Sequence, residues 1–137
     1  MRISKEVFRQ HVRDFAPGAV IFREGEPGDE MYVVVAGKVR ISKRVPGAGE
    51  EALGILEPGS HFGEMAMVDD SPRSADALAH TACALAVLKR DDLDQLMFVD
   101  KELAYDLLWT FVRTLAARLR ETNDKIASFF AMSGGFR

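Results

Sequence analysis

Apolar positions along the chain follow two rhythms. Up to about residue 90 they come in short runs cut by glycines; beyond residue 100 they recur every three or four residues, with no glycine before Gly134. The short runs cover residues 19–22, 31–36, 38–45 and 51–56, each rich in Val, Ile or Tyr, with a later pair over 73–79 and 82–88. Such runs read as strands. Nine of the eleven glycines fall between Gly18 and Gly63, and GEPGDE (25–30), VPGAGEE (45–51) and EPGS (57–60) carry the Pro-Gly punctuation of tight turns. Many short strands at close spacing predict a mainly β, α+β domain: an antiparallel β-roll or jelly roll. Flanking helices complete it. Ser4 caps a short helix over 5–13, Asp91 one over 92–98, and Asp100 starts a long helix over 101–130. The predicted division is an N-terminal helix at 1–14, the β-roll at 15–90, C-terminal helices at 91–130 and a tail at 131–137.

The long helix is the best-patterned element. Leu108, Val112, Leu115, Leu119, Thr122, Ile126 and Phe129 alternate in spacings of four and three, an a/d seam suited to a partner helix. A second stripe, Leu103, Leu107, Phe111, Thr114 and Arg118, runs beside it. Two stripes ask for two partners. The expectation is that one packs on the chain's own β unit and the other on the same helix of a second copy, giving a homodimer through 108–129. The plainer alternative is a helix packed wholly within one chain.

Composition narrows the function classes. The 137 residues suit one domain, and 47% apolar with 28% charged residues is a globular balance. Lys plus Arg is 18 against 21 for Asp plus Glu, a net charge of −3, which argues against broad electrostatic binding to nucleic acid or an anionic membrane. The lone Cys83, in the apolar run TACALAVL, reads as core and suits a reducing, cytoplasmic setting. No secretory h-region and no membrane-length apolar run are visible. His11, His61 and His80 are scattered, with no metal-binding HxH, and GxSxG, HExxH and C-x-x-C are absent, so neither a metal-dependent cupin nor another enzyme is expected. His61 reads as a turn residue rather than a ligand.

One segment carries chemistry: residues 61–75, HFGEMAMVDDSPRSA. Gly63 allows close backbone approach, and 63–67 can form one helical turn with free N–H groups. The Arg73 guanidinium suits bidentate pairing with a phosphate, and Ser74 adds a hydroxyl beside it. Glu64 would repel a phosphate but accepts from a hydroxyl such as a ribose 2′-OH. From Glu64 to Arg73 there are three acids (Glu64, Asp69, Asp70) and one base. No basic field is present for a polyphosphate, nor a GxxxxGK[ST] loop. One arginine matches one phosphate charge.

FGEMAMVDDSPRSA resembles the phosphate-binding cassette of the cyclic nucleotide-binding domain family. FAPGAVIFREGEPGDEMYVVVAGKV, including the Gly37 turn, resembles that family's opening strands, and LKRDDLDQLM with the long helix resembles its closing helices. The resemblance implies binding of cyclic AMP or cyclic GMP, with no other cofactor and no metal. Arg73 would hold the cyclic phosphate and Glu64 the 2′-OH. Ser74 and the backbone of Gly63, Met65 and Ala66 would complete the pocket, next to Ala75. Ile41 and Leu53 stand where the family places apolar walls, and are core positions in any case. Thr122 and Asn123 stand where the long helix would reach the base, although a polar Thr122 can equally set helix register. Arg118 either pairs with Glu64 across the pocket or is a solvated helix residue. Asp76 departs from the family's β-branched or aromatic residue, as a solvent-facing position or a weak point in its strand.

Four functions compete on these terms. A cyclic-nucleotide sensor, coupling ligand to helix position, fits best. A transcription regulator would need a helix-turn-helix, for which residues 131–137 are too few. An interaction module with an idle pocket would leave Glu64 and Arg73 without a purpose. The enzyme reading lacks its motifs. The expected partners are a cyclic nucleotide, a second copy and a separate effector protein, with no direct nucleic-acid or membrane contact. Neither Ser74 nor Thr122 and Asn123 decide between the two nucleotides.

Overall fold

The computed structural model of the chain describes residues 11–133. Eight strands form two four-stranded antiparallel sheets: β1 (Val12–Phe15), β8 (Cys83–Lys89), β3 (Glu30–Ala36) and β6 (His61–Phe62) in one, β2 (Val20–Phe22), β7 (Asp76–Ala79), β4 (Val39–Val45) and β5 (Gly49–Leu56) in the other. A one-turn helix, α1 (Met65–Val68), follows β6. Helices α2 (Arg90–Val99) and α3 (Lys101–Met132) close the chain. This is the expected β-roll with a long C-terminal helix.

The apolar runs divide between two cores. Phe22, Tyr32, Val34, Val39, Phe62, Cys83, Leu85 and Val87 fill the space between the sheets. Alternate residues on the same strands, Met31, Ala86 and Leu88, face outward and pack with Met67, Leu93, Leu107 and Phe111 under the helices. Strand β8 is buried on both faces, which is why its apolar run is unbroken. Gly37 holds φ at 78°, and a Cβ there would lie 2.1 Å from the Ala82 carbonyl, so only glycine makes this turn.

Several expectations are corrected. Residues 12–14, assigned to the N-terminal helix, lie in β1, paired with Ala86, Leu85 and Ala84; residues 1–10 lie outside the described residues. Residues 73–75 precede β7 rather than belonging to it, because the Arg73 backbone is bonded across a loop, to Glu26 O at 2.9 Å and from Gly25 N at 2.8 Å. Helix α2 starts at Arg90, so Asp91 lies inside it; the Asp92 carboxylate accepts from Lys89 N at 3.1 Å. Asp100 caps α3 as expected, accepting from Leu103 N at 3.1 Å. Asp76 does not face solvent. It is 4% exposed, accepts from Glu24 N at 2.7 Å and pairs with Arg23 at 3.4 Å, pinning the exit of β2.

On α3 the two stripes separate. Leu107 and Phe111 are buried, and Leu103, Thr114 and Arg118 half-buried, so the second stripe packs on the β unit. The seam residues Val112, Leu119, Ile126 and Phe129 are 49–68% exposed, and every residue from Leu119 to Ser133 is exposed.

Candidate functional site

Strand β6 delivers the chain into the cassette. Gly63 turns it with φ at 78°, and the following turn bonds Met67 N to Glu64 O at 2.9 Å, starting α1. Glu64 is therefore held at the entrance to α1, 1% exposed. Its Oε1 is paired with Arg118 Nη1, and Arg118 Nη2 donates to the His61 carbonyl at 2.8 Å. The guanidinium of α3 thus straddles the cassette, and of the two readings of Arg118 the structure has the pair.

His61 is not a turn residue. It is 8% exposed, its Nε2 lies 2.8 Å from Thr114 Oγ1, and its ring leans on Phe111 at 5.9 Å. Its Nδ1 stands 3.5 Å from Glu64 Oε2. Burial alone would raise the Glu64 carboxyl; the His61 ring and the Arg118 charge outweigh it and hold the group below its ordinary value of 4.5. A carboxyl lowered on folding stabilises above its unfolded value, and that contribution is lost as pH falls through the folded value. We predict that Glu64→Gln lowers stability by about 1–2 kcal/mol at neutral pH, with Arg118 half-exposed. In denaturant titrations the gap from the unsubstituted protein should narrow below pH 4.5.

Arg73 sits ten residues on and is 7% exposed. Its Nη2 donates to Glu30 O at 2.8 Å and Nη1 to Gly63 O at 3.3 Å, while the guanidinium lies 4.2 Å over the Phe22 ring. Gly28 lies directly against it, where a Cβ would fall 2.3 Å from the guanidinium carbon. Its Nε has no partner, and among the described residues no carboxylate lies within 4.0 Å of it. Burying a cation without a counter-ion is costly. Arg73 is thus a buried cation held by two carbonyls and an aromatic face, with no counter-ion among the described residues.

The other expected positions are spread more widely. Within the cassette Ala66 and Ala75 are buried, and Met65 and Ser74 are exposed. Ile41 packs against the inter-sheet core as expected, but Leu53 is not a core position: it is 54% exposed, where a bulge breaks the β4–β5 register and leaves it without a partner across the strands. Thr122 and Asn123 are exposed beyond Arg118, and the Thr122 hydroxyl donates to the Arg118 carbonyl at 3.0 Å. Within one chain, neither joins the cassette.

Three groups escaped the sequence reading. Glu30 takes Arg13 bidentately at 2.7 and 3.0 Å and the Tyr32 hydroxyl at 2.8 Å, while its carbonyl holds Arg73. Thr114 Oγ1 on α3 meets His61 Nε2 at 2.8 Å. Arg90 grips the end of α1: Nη2 donates to the Ala66 carbonyl and to Asp69 O at 2.6 Å, and Nη1 pairs with Asp70 at 2.7 Å. A cation opening a helix opposes the helix dipole, which was a legible sign that Arg90 is engaged elsewhere.

Residues 12–100 match the family model described as the cyclic nucleotide-binding domain. The CRP-like cAMP-activated global transcriptional regulator of Mycobacterium tuberculosis is 39% identical over 83% of this chain and 49% of its own length. A cyclic nucleotide-binding domain from Methylobacillus flagellatus superposes with a TM-score of 0.79 at 32% identity, over 85% of this chain and 66% of that one. The catabolite activator protein of Thermus thermophilus gives 0.78 at 32% identity, over 91% and 57%. This chain spans about half the length of the curated regulators it matches. With the two-sheet roll, the cassette and the long helix all accounted for, the chain belongs to the cyclic nucleotide-binding domain family.

Proposed function

We propose that the chain is a sensor module that binds cyclic AMP or cyclic GMP in the 61–75 cassette and couples occupancy to the position of α3. The observation that carries this reading is Arg73: a buried cation between two sheets, held by carbonyls and an aromatic face, with no carboxylate beside it. A cyclic phosphate brings the single negative charge that this cation lacks. The N–H groups of Gly63, Met65 and Ala66 and the Ser74 hydroxyl would share the phosphate, and Glu64 would accept from the 2′-OH. Ile41 and Leu53 would flank the nucleotide. Because Arg118 grips Glu64, ligand and helix meet on one carboxylate. A ligand that favours one setting of that contact shifts the population of α3 positions.

The exposed seam on α3 is assigned to a second copy of the chain, and Thr122 on it and Asn123 beside it to base contact once two helices pair. Replacing Leu119, 62% exposed on the seam, by Glu should weaken association by about 2 kcal/mol or more, read as loss of the dimer in sedimentation equilibrium. The output is assigned to a separate effector, the setting to the cytoplasm, in line with the single buried Cys83. Among the described residues no helix is long and apolar enough to cross a membrane. We assign the module no catalytic step.

Thermal melts test the reading. Cyclic AMP or cyclic GMP at a hundred times its dissociation constant should stabilise by about 2.7 kcal/mol, and linear 5′-AMP far less. Equal stabilisation by all three would count against it.

A further inference from the structure

His61 has two polar contacts that lie on different elements. Nε2 meets Thr114 on α3 at 2.8 Å; Nδ1 faces Glu64 Oε2 at 3.5 Å, and among the described residues these two buried atoms face each other with no hydrogen-bond partner. The ring is 8% exposed and packed against Phe111. A lone pair on Nδ1 aimed at a carboxylate would repel it, so the proton belongs on Nδ1 and Nε2 accepts from the Thr114 hydroxyl. The charged groups around the ring are Glu64 at the entrance to α1 and Arg118 on α3, whose guanidinium is committed to Glu64 and the His61 carbonyl; β3 presents Val33 across the strand.

We propose that His61 is a positioning residue with two separable duties: its Nδ1 side sets the orientation in which Glu64 receives the ligand's 2′-hydroxyl, and its Nε2 side fastens α3 through Thr114. This rests on the cyclic-nucleotide reading above. One imidazole then ties hydroxyl recognition to helix docking, in parallel with the Arg118–Glu64 pair. Glu64 has room for both, since a carboxylate offers about four acceptor sites. Arg118 occupies Oε1, and the imidazole fixes the plane of the group from the Oε2 side.

The two duties can be pulled apart. In His61→Asn the amide nitrogen stands near the position of Nδ1, and in His61→Gln the amide oxygen can stand near that of Nε2 and accept from the Thr114 hydroxyl; His61→Phe keeps the ring against Phe111 and removes both contacts. Calorimetry would use whichever of cyclic AMP and cyclic GMP the unsubstituted protein binds tighter, alongside its 2′-deoxy analogue. The expected result for His61→Phe is affinity for the ribonucleotide lowered on the order of tenfold, with affinity for the 2′-deoxy analogue within about twofold of the unsubstituted protein. His61→Asn should restore most of that loss and His61→Gln should not. Hydrogen exchange of residues 111–118 without ligand should show the reverse: faster in His61→Asn, near normal in His61→Gln. Equal losses for both ligands in His61→Phe, or identical behaviour of the Asn and Gln variants, would overturn the proposal while leaving cyclic-nucleotide binding intact. Failure of the unsubstituted protein to bind either nucleotide would overturn both. If His61→Phe does not fold, the Asn and Gln contrast alone decides.

Discussion

Arg73→Ala is expected to weaken cyclic-nucleotide binding roughly 10–100-fold, the equivalent of about 1.5–3 kcal/mol for a charge-assisted hydrogen-bonded contact. The size follows from where the guanidinium stands. It is almost fully desolvated, so its field is not screened by water, and two carbonyls with the Phe22 ring hold it in one orientation before any ligand arrives. Arg73→Lys separates charge from shape: it keeps the cation but loses the planar fork that spans Glu30 O and Gly63 O, and should recover only part of the affinity. Competition against a fluorescent cyclic nucleotide reads both variants. Gly28→Ala provides an independent check. Its new Cβ would strike the guanidinium, so it should impair binding with every charged group intact.

Phe111→Ala should destabilise the chain by about 3–5 kcal/mol, lowering the melting temperature by roughly 10–20 °C. Phe111 is 1% exposed, one of the largest fully buried side chains, and sits where α3 crosses the outer face of the first sheet with Met31, Leu88, Leu93 and Leu107. Its loss opens a cavity and also removes the surface on which the His61 ring leans. Far-ultraviolet circular dichroism during denaturation would show α3 parting from the roll. Val112→Ala, one residue along but 53% exposed on the seam, should leave the unfolding of a single chain within about 0.5 kcal/mol and act on self-association instead. The two neighbours thus report the two faces of one helix.

Much of this architecture was legible because it rests on local rules. Glycines bounded the strands at Gly37 and Gly63, where the backbone takes positive φ. The two stripes of α3 were legible, since a 3.6-residue period is a property of the helix alone, while only the folded chain shows that the stripe from Leu103 to Arg118 is the one that meets the sheet. The cassette stood out through Glu64 and Arg73. What stayed hidden depends on partners far along the chain. Val12–Phe15 carries a charged Arg-Asp pair at its centre, and only pairing with β8, some seventy residues on, makes it a strand. Asp76 reads as a solvent-facing acid until Glu24 N and Arg23 reach it. His61 reads as a turn residue until α3 brings Thr114 and Phe111. Thr122 on the seam and Asn123 beside it are both exposed, so a role for them at the base requires a second surface that one chain does not supply.

The central claim is that one singly charged cyclic nucleotide binds through Arg73 and Glu64. Titration calorimetry of the whole chain with cyclic AMP and cyclic GMP tests it most directly. The expected result is saturable binding of at least one of them, at one site per chain, weakened at least tenfold in Arg73→Ala. Absence of binding heat for both nucleotides, or full affinity in Arg73→Ala, would contradict it.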